Sequence, residues 1–363
     1  MKTKNIIIVG AGPIGCYCGQ LLKKSGCKVT LLEEHKQIGT PAHCAGVVSH
    51  KLLKGIKGFL TEEIIENTVT SGEIFYKNKS FVLRQNKGID IIDRIKFDKF
   101  LSKELDIKFS TRFLGLEEIS GKYIVETDRG EFHADIVIGA DGAKSLVREF
   151  VTDEPVKCLK GVQFRLKAVV KNKQKVIVDI SDNKLFWSIP VSSDEFKVGV
   201  ISKNPFMDLK ETMGFRKIKG EVLGKIAGFV PYGVIRKISR DNIFLIGDSA
   251  CQIKPFTFGG LFFGIKAAGI LSDCIIKNKV NEYSLRWDEL YGKKNQILWE
   301  IRKRYDSFSE EDRAKVFNIL KKNVKIIEEC TDFDNHFSLI KKSVLLFKGK
   351  RDVINLLFKC LSF

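Results

Sequence analysis

The sequence lacks the features of membrane-spanning, secreted, disulfide-linked and zinc-binding chains. No uninterrupted apolar run approaches the ~20 residues of a spanning helix. The N-terminus has no long apolar segment followed by a cleavage site, so we expect a cytoplasmic rather than a secreted protein. Nine cysteines without a CxxC pair predict reduced thiols. The five histidines show no metal-ligand spacing beyond His43 beside Cys44, so we expect no metal site.

The charge of the chain is strongly unbalanced. Its 363 residues can bury a large core, and 62 basic against 44 acidic residues give a net charge of +18. This excess favours acidic partners such as phospholipid, nucleic acid or an acidic protein. A composition bias of the source organism explains it equally well. No recognised nucleic-acid motif accompanies the charge, so we expect no nucleic-acid partner.

The first segment with a chemical signature is a strand, a glycine-rich turn and a helix. Residues 6–9 form an apolar run, as expected for a parallel strand covered on both faces, and GAGPIG follows at once. In such a turn Gly10 permits the tight bend, Gly12 lets the backbone approach a pyrophosphate, and Gly15 allows close packing of helix on strand. The next apolar strand, 28–32, ends in Glu33 and Glu34. A carboxylate there suits a ribose diol, so the segment predicts a site for FAD or NAD.

Two later segments repeat the pattern of a strand running into a glycine turn. Residues 134–142 end in an Asp-Gly pair that contains Asp141. Residues 241–250 carry Gly247 and Asp248, and a predicted helix over 260–272 begins after Gly259. Asp248 can hydrogen-bond a ribityl or ribose hydroxyl, and the helix N-terminus can stabilise negative charge on a flavin. Three such segments in one chain favour FAD.

These residues carry a resemblance to a known family. The glycine-rich start and the segments around Asp141 and Asp248 resemble the flavoprotein hydroxylase superfamily. Within it, the chain resembles the geranylgeranyl reductase family over about residues 5–300, and four local matches support this: 38–46, 93–101, 187–190 and 255–261. Three positions depart from the family pattern, namely Leu185, Ile189 and Phe258.

The resemblance implies an α/β fold with a Rossmann-like FAD-binding domain, an inserted and mostly antiparallel substrate sheet, and a helical C-terminal region. We place the FAD-binding domain at 1–69, 94–153 and 238–280, the substrate domain at 70–93 and 154–237, and the helical region at 281–363. Short alternating stretches within 154–237 independently predict a sheet with one face packed and one face free.

The implied activity is an FAD-dependent reduction of C=C bonds in geranylgeranyl chains of isoprenoid lipids. The motifs and the resemblance together place these residues at the FAD: Gly10, Gly12, Gly15, Glu33, Glu34, Cys44, Ala45, Arg94, Asp141, Gly247, Asp248, Pro255, Gly259, Gly260 and Leu261. The sequence holds no second GxGxxG for a stably bound nicotinamide. We therefore expect a transient electron donor, either NAD(P)H or a ferredoxin-like protein.

Three residues are candidates for contact with the reacting lipid. An unactivated alkene needs a proton donor, and a free thiol with a pKa of about 8.5 is mostly protonated near neutrality. Cys44 is thus the candidate catalytic acid, and a small packing residue under the flavin is the alternative. Trp187 and Pro190 are candidates for the lining of the substrate tunnel, or else they belong to the ordinary core of the sheet.

The last stretch of the chain, 337–363, mixes apolar triplets with several lysines. Such a basic amphipathic helix could lie on an anionic membrane at the inner face of the cell. The alternative is an ordinary helix that packs on the domain.

Two other functions remain open at this point. Halogenases of the same fold carry a Trp-x-Ile-Pro segment, which residues 187–190 match, so an FAD-dependent monooxygenase or halogenase is one alternative. The second is a flavin-binding module at the membrane surface without turnover, because Phe258 and the incomplete substrate motif depart from the reductase pattern.

Overall fold

The computed structural model describes residues 4–41, 44–56, 63–330, 333–334 and 337. The strands are β1 (Asn5–Val9), β2 (Lys28–Leu32), β3 (Val47–Ser49), β4 (Ile65–Tyr76), β5 (Lys79–Ile92), β6 (Asp106–Lys108), β7 (Phe113–Ile119), β8 (Lys122–Thr127), β9 (Gly130–Ala134), β10 (Ile136–Gly139), β11 (Lys157–Lys167), β12 (Lys175–Asp179), β13 (Leu185–Pro190), β14 (Glu195–Ser202), β15 (Glu221–Tyr232), β16 (Ser239–Arg240) and β17 (Ile243–Leu245). The α-helices are α1 (Pro13–Lys24), α2 (His50–Lys54), α3 (Arg94–Ser102), α4 (Pro205–Phe215), α5 (Leu261–Ile276), α6 (Tyr283–Trp287), α7 (Lys293–Ser307), α8 (Glu310–Lys322) and α9 (Val324–Cys330).

The first sheet is the parallel one that the apolar runs predict. Its strand order is β16-β17-β10-β1-β2-β6, and every neighbouring pair is parallel except the short β16 against β17. Helices α1 and α5 pack against each other beside it. Gly264 permits this approach, because a Cβ there would lie 2.6 Å from the side chain of Ile14. The arrangement confirms the predicted α/β class.

The second sheet is mostly antiparallel, with the order β15-β11-β14-β13-β12-β4-β5-β3. One face of it packs against the loop after β17, where Ile253 and Phe258 lie beside Ile201. The opposite face is covered by α4, whose Leu209 is buried among side chains of β11 and β14. The strand β3 and the start of β4 pair in this sheet, although the predicted boundaries put 1–69 with the cofactor domain. Those boundaries stay a proposal.

A third, three-stranded sheet consists of β7, β8 and β9. The sequence patterns did not single it out. Its buried residues Tyr123 and Val125 join the main core, and it leads directly into β10. It therefore supports the strand that ends at Asp141 and is not a separate unit.

The helices α6 to α9 follow the cofactor segments, in the region predicted to be helical. Phe317 of α8 packs on Tyr76 and Phe81, with ring centroids 5.6 and 5.2 Å apart, and so ties this region to the tip of the β4–β5 hairpin. Among the described residues no helix combines the length and apolar character needed to cross a bilayer. The amphipathic helix predicted for 337–363 lies outside the described residues, apart from position 337.

Candidate cofactor and active site

The glycine turn after β1 leaves an open hollow in front of α1. Gly10 has a φ of +100°, and a Cβ on it would lie 2.4 Å from the carbonyl oxygen of Ala140. A Cβ on Gly15 would lie 2.1 Å from the carbonyl oxygen of Gly10. Gly12 is different: its φ is −66° and no heavy atom lies within 4 Å of the Cβ position. Packing thus explains Gly10 and Gly15, whereas Gly12 faces space that a ligand can fill.

Glu33, which follows β2, is hydrogen-bonded to this turn. Its Oε2 accepts a hydrogen bond from the backbone N–H of Ala11 at 3.0 Å. Its Oε1 accepts one from the backbone N–H of His35, also at 3.0 Å. The carboxylate therefore lies beside the glycine turn, and its contact with a ribose stays a prediction. Glu34 is exposed and lies outside this network.

The turn after β10 closes the hollow on its other side. Asp141 Oδ2 accepts hydrogen bonds from the N–H groups of Leu146 at 2.8 Å and Val147 at 3.2 Å. Its Oδ1 is buried without a hydrogen-bond partner among the described residues. Burial raises the pKa of Asp141. A buried carboxyl oxygen without a partner at the edge of a hollow indicates a bound donor group.

The turn after β17 places Asp248 against the start of α5. A Cβ on Gly260 would lie 2.5 Å from Asp248 Oδ1, so only glycine allows this contact. Burial raises the pKa of Asp248 to about 6, and the nearby charge of Arg94 opposes the shift in part. Gly247 has a φ of +70° and packs on Ile14 of α1, which joins the first turn to the third.

The raised pKa of Asp248 leads to a stability prediction. Its ordinary value is 3.8, so between this pH and about 6 the folded protein holds a proton that the unfolded chain releases. The stabilisation that this bound proton gives the folded protein is complete below pH 3.8 and is lost as the pH rises through about 6. We expect Asp248→Asn to stabilise the flavin-free protein above pH 7 by up to about 3 kcal/mol. Urea unfolding from pH 4 to 8 measures this, and a difference from wild type that does not change with pH would contradict it.

The N-termini of two helices face this edge of the sheet. Helix α1 begins after Gly12 and α5 after Gly260, and neither has a side-chain cap or an acidic residue in its first turn. Their first N–H groups and dipoles therefore favour an anion. Leu261 is the first residue of α5, and a Cβ on Gly259, two residues earlier, would make ordinary contacts with Thr257 and Lys254 at 3.8–4.0 Å.

The loop after residue 43 brings Cys44 to the same place. The backbone N–H of Gly46 donates to Cys44 Sγ at 3.4 Å. Arg94 begins α3 and donates to both carboxyl oxygens of Asp98, at 3.1 and 3.0 Å. Burial alone would lower the pKa of Arg94, but Asp98 and Cys44 together raise it. The guanidinium thus stays charged between Asp98, Cys44 and Asp248.

A buried lysine that the sequence analysis missed holds this loop to the second sheet. Lys197 of β14 donates to the carbonyl oxygen of Ala45 at 3.3 Å, to that of Ile92 at 3.4 Å and to Glu66 Oε2 at 2.6 Å. A lysine within the apolar run of β14 is the only signal the sequence offers for it. Lys197 links the second sheet to the segment that carries Cys44.

Trp187 contributes to two separate apolar clusters. Its ring packs against the cluster that contains Ile253 and Phe258 and also against the cluster of Val69, Ile91 and Ile189, on which Ala45 packs as well. Its Nε1 donates to Gln163 Oε1 at 2.9 Å. Pro190 is buried at the end of β13, where its carbonyl accepts a hydrogen bond from Asn67 Nδ2 at 2.9 Å.

Phe258 takes a conformation usual for glycine, with a φ of +54°. Its ring lies 6.3 Å from that of Trp299, and the guanidinium of Arg302 lies 5.1 Å from it. Arg302 also donates to the carbonyl oxygen of Pro255 at 3.2 Å. The helix α7 therefore holds the loop 255–260 in place despite the unusual residue.

A second feature that the sequence did not predict is a buried lysine just before the loop 255–260. The buried Lys254 donates to the backbone oxygen of Phe333 at 2.8 Å and to Asp334 Oδ1 at 3.2 Å. Ser49, which follows the Cys44 loop, donates to Asp334 Oδ2. A cavity of about 260 Å³ adjoins Lys254, Pro255 and Asp334, and its wall is otherwise mainly aromatic and aliphatic.

The hollow fits a flavin dinucleotide. The open space at Gly12 and the free N-terminus of α1 suit a pyrophosphate, and Glu33 suits the adenosine ribose. The partnerless Oδ1 of Asp141 and the carboxyl of Asp248 lie along the remaining length of the site. The uncapped N-terminus of α5 suits negative charge on a flavin ring.

Comparisons with known proteins agree with this geometry. A family model described as FAD binding domain matches residues 3–276. An uncharacterised protein of Methanocaldococcus jannaschii is 30% identical, with 97% of this chain and 98% of that protein covered. A digeranylgeranylglycerophospholipid reductase of Methanococcus aeolicus is 26% identical, with 96% and 98% covered. The crystal structure of a geranylgeranyl bacteriochlorophyll reductase-like protein from Thermoplasma acidophilum has a TM-score of 0.79 at 21% identity and covers 98% of this chain and 100% of its own. The chain is therefore an FAD-dependent oxidoreductase that belongs to the FAD-binding domain family and, within the flavoprotein hydroxylase superfamily, to the geranylgeranyl reductases.

Proposed function

We propose that the protein saturates C=C bonds in the geranylgeranyl chains of an isoprenoid lipid. The observation that carries the proposal is the position of the Cys44 loop: Lys197 joins it to Ile92 just before α3, and its Ala45 packs on the same apolar cluster as Trp187. The reductase of Methanococcus aeolicus, which aligns over nearly the whole chain, supports the substrate class.

FAD, when bound and reduced, supplies a hydride to one alkene carbon. The other carbon needs a proton, and no carbonyl is present in an isolated alkene to take up charge. Cys44 is the proposed donor, because its loop is fixed from both sides. Lys197 holds the neighbouring carbonyl of Ala45, and the backbone N–H of Gly46 donates to the sulfur. Both residues position the sulfur without taking part in bond formation.

The aromatic wall serves the apolar part of the substrate. Trp187 and Phe258 belong to one cluster with Ile253 and Trp299, which packs against the loop at the cofactor. These rings exclude water from the reacting carbons and offer an apolar surface to a polyprenyl chain. In this proposal Trp187 lines the tunnel, and Pro190 supports it from the strand end.

The oxygen-using alternative places the same residues differently. A monooxygenase or halogenase has no need for a proton donor beside an alkene, so a requirement for Cys44 in turnover would favour the reductase. For the electron supply we propose a donor that binds transiently, either NAD(P)H or a ferredoxin-like protein. The net charge of +18 suits an acidic protein donor.

A comparison of two lipids tests the proposal. The protein is reduced under anaerobic conditions and mixed with a geranylgeranyl lipid or with its fully saturated counterpart. We expect the flavin absorbance to return only with the unsaturated lipid, since only that lipid accepts the electrons. If the absorbance returns with oxygen and an aromatic substrate but with neither lipid, the result would favour a monooxygenase over the proposed reductase.

A further inference from the structure

An apolar and basic surface is found on the face of the second sheet that carries α4. Large apolar side chains of α4 and β15 are exposed there, namely Phe206 (63%), Met207 (64%), Val222 (46%), Leu223 (45%) and Phe229 (39%). We call these residues, with the lysines beside them, the α4–β15 surface. Val222 and Leu223 lie near the Leu166 end of β15 and Phe229 near the Lys160 end, so the surface extends along the strand. A stretch of exposed apolar side chains of this size indicates a contact with a partner.

The sheet register brings the two elements to a common end. Phe229 of β15 pairs with Lys160 of β11, which in turn pairs with Ser202 at the end of β14. Helix α4 begins shortly after Ser202. Its Leu209 is buried against β11 and β14, so the first turn of α4 lies at the same end of the sheet as Phe229. Phe206 and Met207, in that first turn, therefore lie at the same end of the sheet as Phe229.

Lysines surround these apolar side chains. The ammonium group of Lys144 lies 3.7 Å from the ring centroid of Phe229, and that of Lys160 lies 5.9 Å from it. Lys225 lies 5.3 Å from the centroid of Phe164. Between residues 203 and 225 basic side chains outnumber acidic ones, which are Asp208, Glu211 and Glu221. The surface thus combines apolar side chains with a positive charge.

We propose that the α4–β15 surface docks on an anionic lipid bilayer. Aromatic and methionine side chains enter the interface between head groups and acyl chains, while lysines meet the anionic head groups. The inference rests on the proposed function, because an enzyme that acts on a membrane lipid must reach it in the bilayer.

The position of β15 gives the lipid a short route to the cofactor. β15 is the edge strand of its sheet, with Phe229 on the outer face. Val230 and Tyr232 of the same strand pack on the inner face in the cluster of Phe258 and Trp299. One strand therefore separates the proposed bilayer contact from the aromatic wall of the site.

Vesicle flotation of the holoenzyme tests the docking. The vesicles contain phosphatidylcholine alone or with phosphatidylglycerol. The test variants are Phe206→Ser with Met207→Ser, and Lys160→Gln with Lys225→Gln. The matched controls are Leu285→Ser, at a leucine that is 67% exposed on α6, and Lys24→Gln at the end of α1.

We expect wild type and both controls to bind the anionic vesicles and to be released by salt. The lysine pair should weaken binding about fivefold for each charge removed. The apolar pair should weaken it by about tenfold or more. All variants should keep bound FAD and full activity on lipid dispersed in detergent.

Two results would overturn the docking surface. In the first, the variants bind vesicles as wild type does, or wild type binds neither kind of vesicle. In the second, vesicle binding is unchanged and the variants alter the oligomeric state, which would make the surface an interface between copies. Absence of activity in detergent, with vesicle binding as expected, would reject the proposed reaction and leave the docking surface standing.

Discussion

Gly12→Val is expected to weaken FAD binding by at least about a hundredfold and to leave the fold of the flavin-free protein unchanged. The φ of −66° at Gly12 is open to any L-residue, and no atom lies within 4 Å of its Cβ position. The added side chain therefore enters only the space that we assign to the pyrophosphate. Flavin titration followed by fluorescence measures the affinity, and thermal unfolding without flavin measures the fold.

Gly269→Val in α5 is the matched control. It too has a regular backbone with nothing within 4 Å of its Cβ position, but it lies two turns along the helix from Gly260. We expect it to keep FAD bound with little change in affinity. If Gly12→Val binds FAD as tightly as this control, the hollow after β1 is not the pyrophosphate site.

Cys44→Ala is expected to slow saturation of the lipid by about a hundredfold or more, the usual effect of losing a general acid. Reduction of the bound flavin by dithionite or by the donor should be unchanged, because that step needs no proton donor at the alkene. The two half-reactions, measured separately by stopped flow, give the two rates.

Cys27→Ala is the control for this substitution. Cys27 is half-buried at the start of β2, away from the site, and its removal should change neither rate. Equal saturation rates for Cys44→Ala and wild type would mean that the thiol only fills space beneath the flavin. A loss of FAD in Cys44→Ala would assign it to cofactor binding instead.

The parts of the site that the sequence predicts are those with local signals. The turn at Gly10 and the acid at Glu33 belong to one continuous strand–turn–helix–strand unit, and steric demands at each glycine leave a visible pattern. The same holds for Asp141 and Asp248, which each follow a short buried strand. Parallel pairing then brings these three turns to one edge.

The parts that the sequence does not predict depend on contacts between distant residues. Lys197 contacts the loop of Cys44 although about 150 residues separate them in the sequence, and a single lysine in a strand does not indicate which residue it will contact. The strand β3 has only three residues, too few for a periodic pattern, and its sheet is set by pairing with β5. The pair of Lys254 and Asp334 likewise joins the cofactor loop to the end of the described chain.

The position of Trp187 is compatible with both of its predicted roles. The ring is half-buried and packs against two apolar clusters, so tunnel lining stays a prediction beside core packing. A tryptophan there can pack on the sheet and still present one face to a substrate. Glu34, by contrast, is exposed, and its contact with the cofactor stays a prediction.

The most direct test of the central claim is the mass of the product. The purified protein is examined for a flavin spectrum and then incubated anaerobically with dithionite and geranylgeranyl lipids, with the products read by mass spectrometry. Our account predicts a flavin spectrum and products that gain mass in steps of two hydrogens. A flavin spectrum with no mass gain on any prenyl lipid would contradict the proposed reaction. Colourless protein that FAD cannot reconstitute would contradict the cofactor site itself.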